Sequence, residues 1–145
     1  MIFYSQHGED CLLWEFFNKC NPMGFYIDVG AFDGKHLSNS YVFDMNGWNG
    51  ICVEPEEQYF QRCASQRTAT CVQAACVNDP TIETVNFTIM NDGGLGSGVE
   101  VTEKKKNKGR FTYSTTTVAA KTLNQLIEEC PTVPLFGFIM EPIDR

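Results

Sequence analysis

The stretch GFYIDVGAFDGKHL, residues 24–37, constrains the fold of this chain more than any other. An apolar and aromatic run at 25–27 leads into Asp28, a glycine turn follows at Gly30, and Asp33 precedes Gly34. A short buried strand that ends on an acid and turns on glycine is typical of the place where the first strand of an α/β sheet passes into its helix. Ligands of open α/β sheets bind at that end of the strand, so this turn is the first candidate for a binding site.

The order of the predicted elements favours the same fold class. Helical spacing of Leu12, Leu13, Phe16 and Phe17 predicts an amphipathic helix over residues 7–20, begun by Ser5. Further helices are predicted over 35–46, from Pro55 onward and over 122–130, and strands at 25–29, 50–54, 70–77, 84–90 and 135–140. Short strands that alternate with helices predict a mostly parallel sheet with helices on both faces, in a single domain over residues 1–145.

Details within these elements are also predicted. The helix over 35–46 has Leu37 on its apolar face and ends at Gly47, and the helix after Pro55 turns Tyr59 and Ala64 inward. The alternating pattern at 84–90 predicts an antiparallel or half-exposed strand. Glycines at 91–98 and a basic run at 104–110 are expected to be loops.

Composition narrows the class of protein. Hydrophobic residues make up 43% and charged residues 20% of the 145 residues, as in ordinary globular domains. The net charge of −7 argues against nucleic acid as a partner. No apolar run reaches 18 residues, which argues against a membrane span. The N-terminus has no signal-peptide pattern, which favours the cytoplasm or a fragment of a longer chain.

The cysteines indicate no metal site. Their number is odd and their spacing irregular, at positions 11, 20, 52, 63, 71, 76 and 130. Zinc motifs pair cysteines at Cys-x-x-Cys spacing or cluster them with histidines, and neither pattern occurs. The sequence therefore predicts reduced thiols that pack in the core, and no metal.

Phosphate-binding motifs do not fit the turn. A dinucleotide fingerprint that starts at Gly30 needs glycines where Phe32 and Lys35 stand, which disfavours a nicotinamide-dependent oxidoreductase, and no P-loop is present. The acids of the turn would repel phosphate and attract positive charge. Glu54 ends the second strand 24 residues after Gly30, near the spacing of an acid that binds ribose hydroxyls. A ligand with a ribose, a cationic end and no phosphate fits S-adenosylmethionine, although any one of Asp28, Asp33 and Glu54 could instead cap a helix.

The chain resembles the FkbM family of S-adenosylmethionine-dependent methyltransferases. The resemblance rests on YSQHGEDCLL, FYIDVGAFDGKHLSNS, GWNGICVEP, VQAACV, LGSGVE and VAAKTLNQLI, in that order over roughly residues 4–130. It implies a Rossmann-like class I methyltransferase fold. It also implies methyl transfer to a hydroxyl oxygen of a small-molecule acceptor, such as a sugar or a polyketide-like compound.

The resemblance also implies roles for particular residues. Asp28 and Gly30 would hold the methionine end of the cofactor, Asp33 and Gly34 would shape the same turn, and Glu54 would bind the ribose hydroxyls.

Residues outside the turn receive roles in the same way. Ala74 and Ala75 would lie near the adenine. Gln6, in an element shared with Asp10, would face the cofactor, and the Ser97-Gly98 pair would lie near the acceptor.

The chain departs from the family near residue 140. Members continue through a strand that ends in Ile-Asp-Val-Glu-Gly. If Ile139 holds the place of the family isoleucine, Met140 and Pro142 stand at the places of the two acids; if Ile143-Asp144 is the counterpart, the motif is cut in half. The catalytic base is therefore unknown, and the C-terminal strands are expected to be missing or incomplete. An unprotected edge strand predicts marginal stability or self-association. The alternative reading is a non-catalytic remnant or interaction module that keeps the cofactor-binding fold.

Overall fold

The computed structural model describes residues 1–20, 23–90, 97–99 and 112–130, which form a mixed α/β structure. The helices of this part are α1 (Glu9–Cys20), α2 (Tyr41–Met45), α3 (Glu57–Gln66) and α4 (Leu123–Glu129). The strands are β1 (Phe25–Val29), β2 (Asn49–Val53), β3 (Thr70–Val72), β4 (Ala75–Cys76), β5 (Thr84–Met90) and β6 (Tyr113–Lys121).

A three-stranded parallel sheet forms the centre, in the order β1-β2-β3. Asp28 pairs with Cys52, and Cys52 pairs with Cys71. The chain passes from β1 to β2 through α2 and from β2 to β3 through α3, as parallel neighbours require. The predicted parallel α/β arrangement is confirmed for these strands.

A second sheet has the order β4-β6-β5, with β4 parallel and β5 antiparallel to β6. The antiparallel strand predicted at 84–90 is therefore confirmed. The single strand predicted at 70–77 is wrong, because the chain leaves β2 after Val72 and Ala75 pairs with Ala120 of β6. The sequence of residues 70–77 gives no sign that the chain passes from the first sheet to the second at this point.

The parallel sheet has two unlike faces, because successive side chains of a strand point to opposite sides. The apolar face carries Phe25, Ile27, Ile51 and Val53 and is covered by Leu126 of α4. The other face, called the polar face below, carries Tyr26, Asp28, Cys52 and Cys71. It packs with Trp14 of α1, Phe43 of α2 and Cys63 of α3.

Gly50 allows the polar face to hold an aromatic ring. A Cβ atom at Gly50 would lie 2.5 Å from the ring of Tyr26, its partner in the sheet, so a larger residue does not fit without displacing that ring.

The first helix is shorter and differently oriented than its sequence predicts. It begins at Glu9, and Leu12 and Phe16 are 74% and 66% exposed. Asp10 is fully buried and Trp14 nearly so, which places these two on the inward side. The apolar spacing predicts the helix, but the buried carboxylate decides its orientation.

The region 35–46 is helical only over Tyr41–Met45, so the longer predicted helix is wrong. Leu37 has a φ of +56°, in the left-handed region, and forms an isolated bridge with Ser5 instead of lying on a helix face. Gly47, at a φ of +84°, follows the end of α2 as predicted.

The two remaining helices agree better with their predictions. α3 begins at Glu57, two residues after Pro55, and buries Tyr59 as predicted but leaves Ala64 exposed. The helix predicted over 122–130 is confirmed as α4, and Thr122 and Gln125 form a capping box at its start.

Several predictions fall on residues outside the described ranges. They are the strand at 135–140, the basic run at 104–110, most of the glycine-rich loop and the substitutions at 140 and 142. Within the described ranges, none of the helices combines the length and apolar character needed to cross a membrane.

Candidate functional site

The turn after β1 is fixed to the end of β2. The backbone N–H groups of Gly30 and Ala31 both donate to the carbonyl of Val53, at 2.8 and 3.0 Å. Gly30 has a φ of +77°, which favours glycine, and no heavy atom lies within 4 Å of the place of its missing Cβ. The turn is therefore rigidly held and open on the side of Gly30.

Glu54 joins this turn from the end of β2. It is 7% exposed, and its Oε2 accepts a 2.9 Å hydrogen bond from the backbone of Phe32. Its Oε1 accepts from the backbone of Glu56 at 2.9 Å. Burial raises the pKa of Glu54 to about 7, against the two N–H donors that lower it. The structure thus brings together the glycine turn and the acid that the sequence assigns to one site.

Asp28, the acid that ends the strand, has a cationic partner within the protein. Its Oδ2 lies 3.3 Å from a terminal nitrogen of Arg67, and it also accepts from the hydroxyl of Ser40. Both contacts fall on Oδ2. The sequence assigns Asp28 to a ligand or to the cap of a helix and misses this internal pair.

Arg67 connects the turn to α3. Its side chain is fully buried and donates to the carbonyl of Gly34 and to the hydroxyls of Tyr26, Ser38 and Ser40, the last three at 3.1, 2.7 and 2.9 Å. Basic residues at helix ends are usually exposed, where they offset the helix dipole. The sequence therefore carries no signal that singles out Arg67.

Asp33 and Gly34 complete the turn through local contacts. Asp33 Oδ1 accepts from the backbone of Lys35 at 3.0 Å and of His36 at 2.7 Å, in the manner of a capping residue. Gly34 has a φ of +85°, and a Cβ there would lie 3.0 Å from the backbone of Cys63. Both residues hold the turn in shape, and Asp33 does so through the two backbone N–H groups that follow it, although no helix begins there.

The N-terminal segment lies beside the same turn. Asp10 accepts from the backbone and hydroxyl of Ser5, at 3.1 and 2.6 Å, and Ser5 bridges to Leu37. Gln6 is exposed next to this bridge. A cavity of about 280 Å³ lies here, lined by Tyr4, Asp33, Lys35, His36 and Leu37.

Ala74 and Ala75 lie in the core. They are 0% and 4% exposed, so the structure shows almost no surface of either residue that a ligand could contact. A groove of about 640 Å³ lies beside them, lined by Gln73, residues 55–58, Ile89 and residues 116–119. Of the predicted cofactor residues, Asp33 lines the smaller cavity and the others line neither.

Ser97 and Gly98 contact the end of β5. The Ser97 hydroxyl accepts from the backbone of Met90 at 3.0 Å, and Gly98 exchanges two 2.9 Å backbone bonds with Thr88. The pair therefore contacts β5 of the second sheet and is not part of the Gly30 turn.

Three cysteines meet on the polar face, which their spacing in the sequence does not predict. The sulfur atoms of Cys52, Cys63 and Cys71 all lie within 4.8 Å of one another. Hydrogen bonds from Cys52 and Cys63 lower the pKa of the Cys71 thiol. A signal was present in the repeated Cys-Val of ICV and TCV, which occupy the same register in β2 and β3.

The six cysteines whose side chains are described are all free thiols, as the sequence predicts. Three of them are buried, namely Cys52, Cys63 and Cys130.

Comparison with known proteins does not assign the chain to a family. No family model, no curated protein and no solved structure matches the chain. The function of this chain is therefore inferred from its own residues and their geometry.

Proposed function

We propose that this chain binds S-adenosylmethionine and is a methyltransferase of the FkbM type, acting on a hydroxyl of a small sugar-like or polyketide-like acceptor. The observation that carries the proposal is the hydrogen bond from Phe32 to Glu54. It holds an acid at the end of β2 against the glycine turn that ends β1, which is the arrangement that nucleoside-binding α/β sheets use for a ribose.

The sheet order supports a Rossmann-like class I fold. The doubly wound order 3-2-1-4-5-6 contains the sequence of neighbours found here, β3-β2-β1. In that fold the next strands add beside β1, and the ligand lies over the point where the order reverses. On this proposal, the Gly30 turn at the carboxyl end of β1 would lie at that position.

The charges of the turn suit the cofactor's two ends. Each carboxylate oxygen of Glu54 accepts one backbone N–H, which leaves further lone pairs on both oxygens. When Glu54 is ionised, these lone pairs accept hydrogen bonds from the ribose hydroxyls. Asp28 Oδ1 accepts from the ammonium group of the methionine end. The open side of Gly30 gives a ligand access to both, since a side chain there would occupy the approach.

The rival proposal is an interaction module that keeps this fold without turnover. The pairing of Asp28 with Arg67 favours it, since a carboxylate held by an internal guanidinium also explains the acid in structural terms. The two proposals differ first in whether the cofactor binds.

The test is calorimetric titration of the purified chain with S-adenosylhomocysteine. We expect micromolar binding, and Glu54→Gln weakens it by about 1–3 kcal/mol, the usual loss for a hydrogen bond to a charged group. Asp28→Asn weakens it by a similar amount. Glu83→Gln, which changes an exposed acid beside β5, serves as the matched control and leaves binding unchanged.

The outcomes separate the two proposals. Binding that both site variants weaken supports the cofactor site, and a methyl-transfer assay on hydroxyl-bearing acceptors then follows. Absence of binding by a wild-type chain that circular dichroism shows to be folded contradicts the methyltransferase and leaves the interaction module.

A further inference from the structure

The three cysteines of the polar face are held together by independent elements. Cys52 lies in β2 and Cys71 in β3, directly paired in the sheet, while Cys63 reaches the same face from α3. The strand register and the packing of α3 both fix this arrangement. It does not depend on a flexible loop.

The spacing of the sulfur atoms fits a tetrahedral thiolate site. The Sγ atoms of Cys63 and Cys71 are 3.7 Å apart, and the third lies within 4.8 Å of each. Zinc–sulfur bonds of about 2.3 Å at tetrahedral angles require sulfurs about 3.8 Å apart. One pair already has this separation, and the third sulfur needs a shift of an ångström or less.

The charge around the cluster suits a divalent ion. Three thiolates and a divalent ion carry a net charge of −1. The buried guanidinium of Arg67 favours thiolates at all three sulfurs, whereas the carboxylates of Asp28 and Asp44 oppose them at Cys52 and Cys71, respectively. Arg67 follows Cys63 by one helical turn and donates its backbone N–H to the Cys63 carbonyl at 3.0 Å. A buried charged complex is costly unless it has such a partner.

We propose that Cys52, Cys63 and Cys71 bind one Zn²⁺ ion as thiolates, with the fourth position of the ion open to water. Soft thiolate ligands select zinc and similar thiophilic ions over magnesium and calcium. Among the described residues, no further thiol, imidazole or carboxylate joins the three sulfurs. Cys52 and Cys63 are each 1% exposed whereas Cys71 is half-buried, so the open position lies on the side of Cys71.

Binding changes only the protonation of the ligands. Thiols lose their protons to solvent as they coordinate, and no sulfur is oxidised. The proposal does not rest on the proposed cofactor site, because metal binding is measured without any cofactor, although Asp28 of that site pairs with Cys52 in the sheet.

The first test is a metal titration of the full chain, stripped with a chelator and kept under a non-thiol reductant. Co²⁺ serves as the spectroscopic probe, and Zn²⁺ then displaces it. We expect one ion per chain, with thiolate charge-transfer bands and the d–d bands of tetrahedral Co²⁺. Cys71→Ser weakens Zn²⁺ binding by more than about 100-fold, since loss of even an outer partner of a metal ligand costs 10–100-fold.

The matched control is Cys76→Ser, which changes a half-buried cysteine on a neighbouring strand outside the cluster. It leaves the stoichiometry and affinity unchanged. The assignment is overturned if Cys76→Ser and Cys71→Ser reduce binding equally. It is also overturned if the wild-type chain does not bind one ion per chain.

A second measurement needs no variant and covers the case in which Cys71→Ser does not fold. X-ray absorption of the zinc-loaded wild-type chain gives three sulfur ligands and one lighter ligand if the site is as proposed. A shell of oxygen and nitrogen atoms alone contradicts it.

Discussion

The two faces of the parallel sheet are built from the same three strands but are held by different forces. The apolar face contains Ile27, Ile51 and Val53, which pack against Leu126 of α4. Close packing of these aliphatic side chains is sufficient to stabilise this face. The polar face contains Asp28, three thiols and the buried Arg67. These polar groups lose their contacts with water on folding, and hydrogen bonds within the protein must offset that loss. The candidate sites lie on the face where each group depends on its partners.

The strongest test of this comparison removes the guanidinium at the centre of the polar face. Arg67→Met leaves the partly buried Asp28 without its cation and removes a donor from Tyr26 and two serines. We expect the free energy of unfolding to fall by about 3–5 kcal/mol, the usual cost of breaking a buried ion pair from one side. Urea denaturation measures it.

The control for this change is Arg62→Met, an exposed arginine on the same helix, with an expected effect within about 0.5 kcal/mol. Adding Asp28→Asn to Arg67→Met should restore part of the loss, because the uncompensated charge is then gone. Equal losses for Arg62→Met and Arg67→Met would mean that the buried network adds nothing to stability.

A second test uses the pH dependence that Glu54, in the turn at the end of β2, should give and that the apolar face should not. The pKa of Glu54 is about 7 in the folded chain, above its ordinary value of 4.5. Between these values the unfolded chain has released a proton that the folded chain retains, so stability falls as the pH rises through this window. The fall is at most about 3 kcal/mol and is complete above pH 7.

Glu54→Gln removes this titration. The wild-type chain should lose stability relative to the variant between pH 5 and pH 8, as measured by urea denaturation at both pH values. Glu83→Gln should follow the wild type. If the stability difference between Glu54→Gln and the wild type does not change with pH, the buried carboxylate does not titrate in this range.

The smallest expected effect is on the apolar face. Ile51 is fully buried, and Ile51→Val deletes one methylene at a cost of about 1 kcal/mol. Because the neighbours on this face are apolar, the cost should be the same at pH 5 and pH 8. A cost that varies with pH would show that the two faces are coupled, and would weaken the distinction drawn between them.

Local patterns in the sequence predict the parts of the fold that local physics decides. Alternation and apolar runs predict β1, β2 and β5, and the pattern of Leu123, Leu126 and Ile127 predicts α4. The same reasoning brings Glu54 to the glycine turn, because parallel strands end at the same edge of a sheet. These predictions need only the spacing of residues along the chain.

Long-range contacts decide the parts that the sequence does not predict. The helix expected over 35–46 is reduced to five residues because Leu37 bridges to Ser5 and the hydroxyls of Ser38 and Ser40 bind Arg67. The cysteine cluster depends on strand register, which the sequence does not state. In each case a contact with another element of the fold overrides the local preference.

The paired N–H bonds of Gly30 and Ala31 to one carbonyl of β2 have a consequence for how any ligand would bind there. They extend the hydrogen-bond ladder of the sheet into the turn, so these amides exchange with solvent only when the two strands separate. A ligand then meets a backbone that is already ordered, and little conformational entropy remains to be lost on binding. The affinity of the turn for such a ligand would then depend on the groups that contact the ligand.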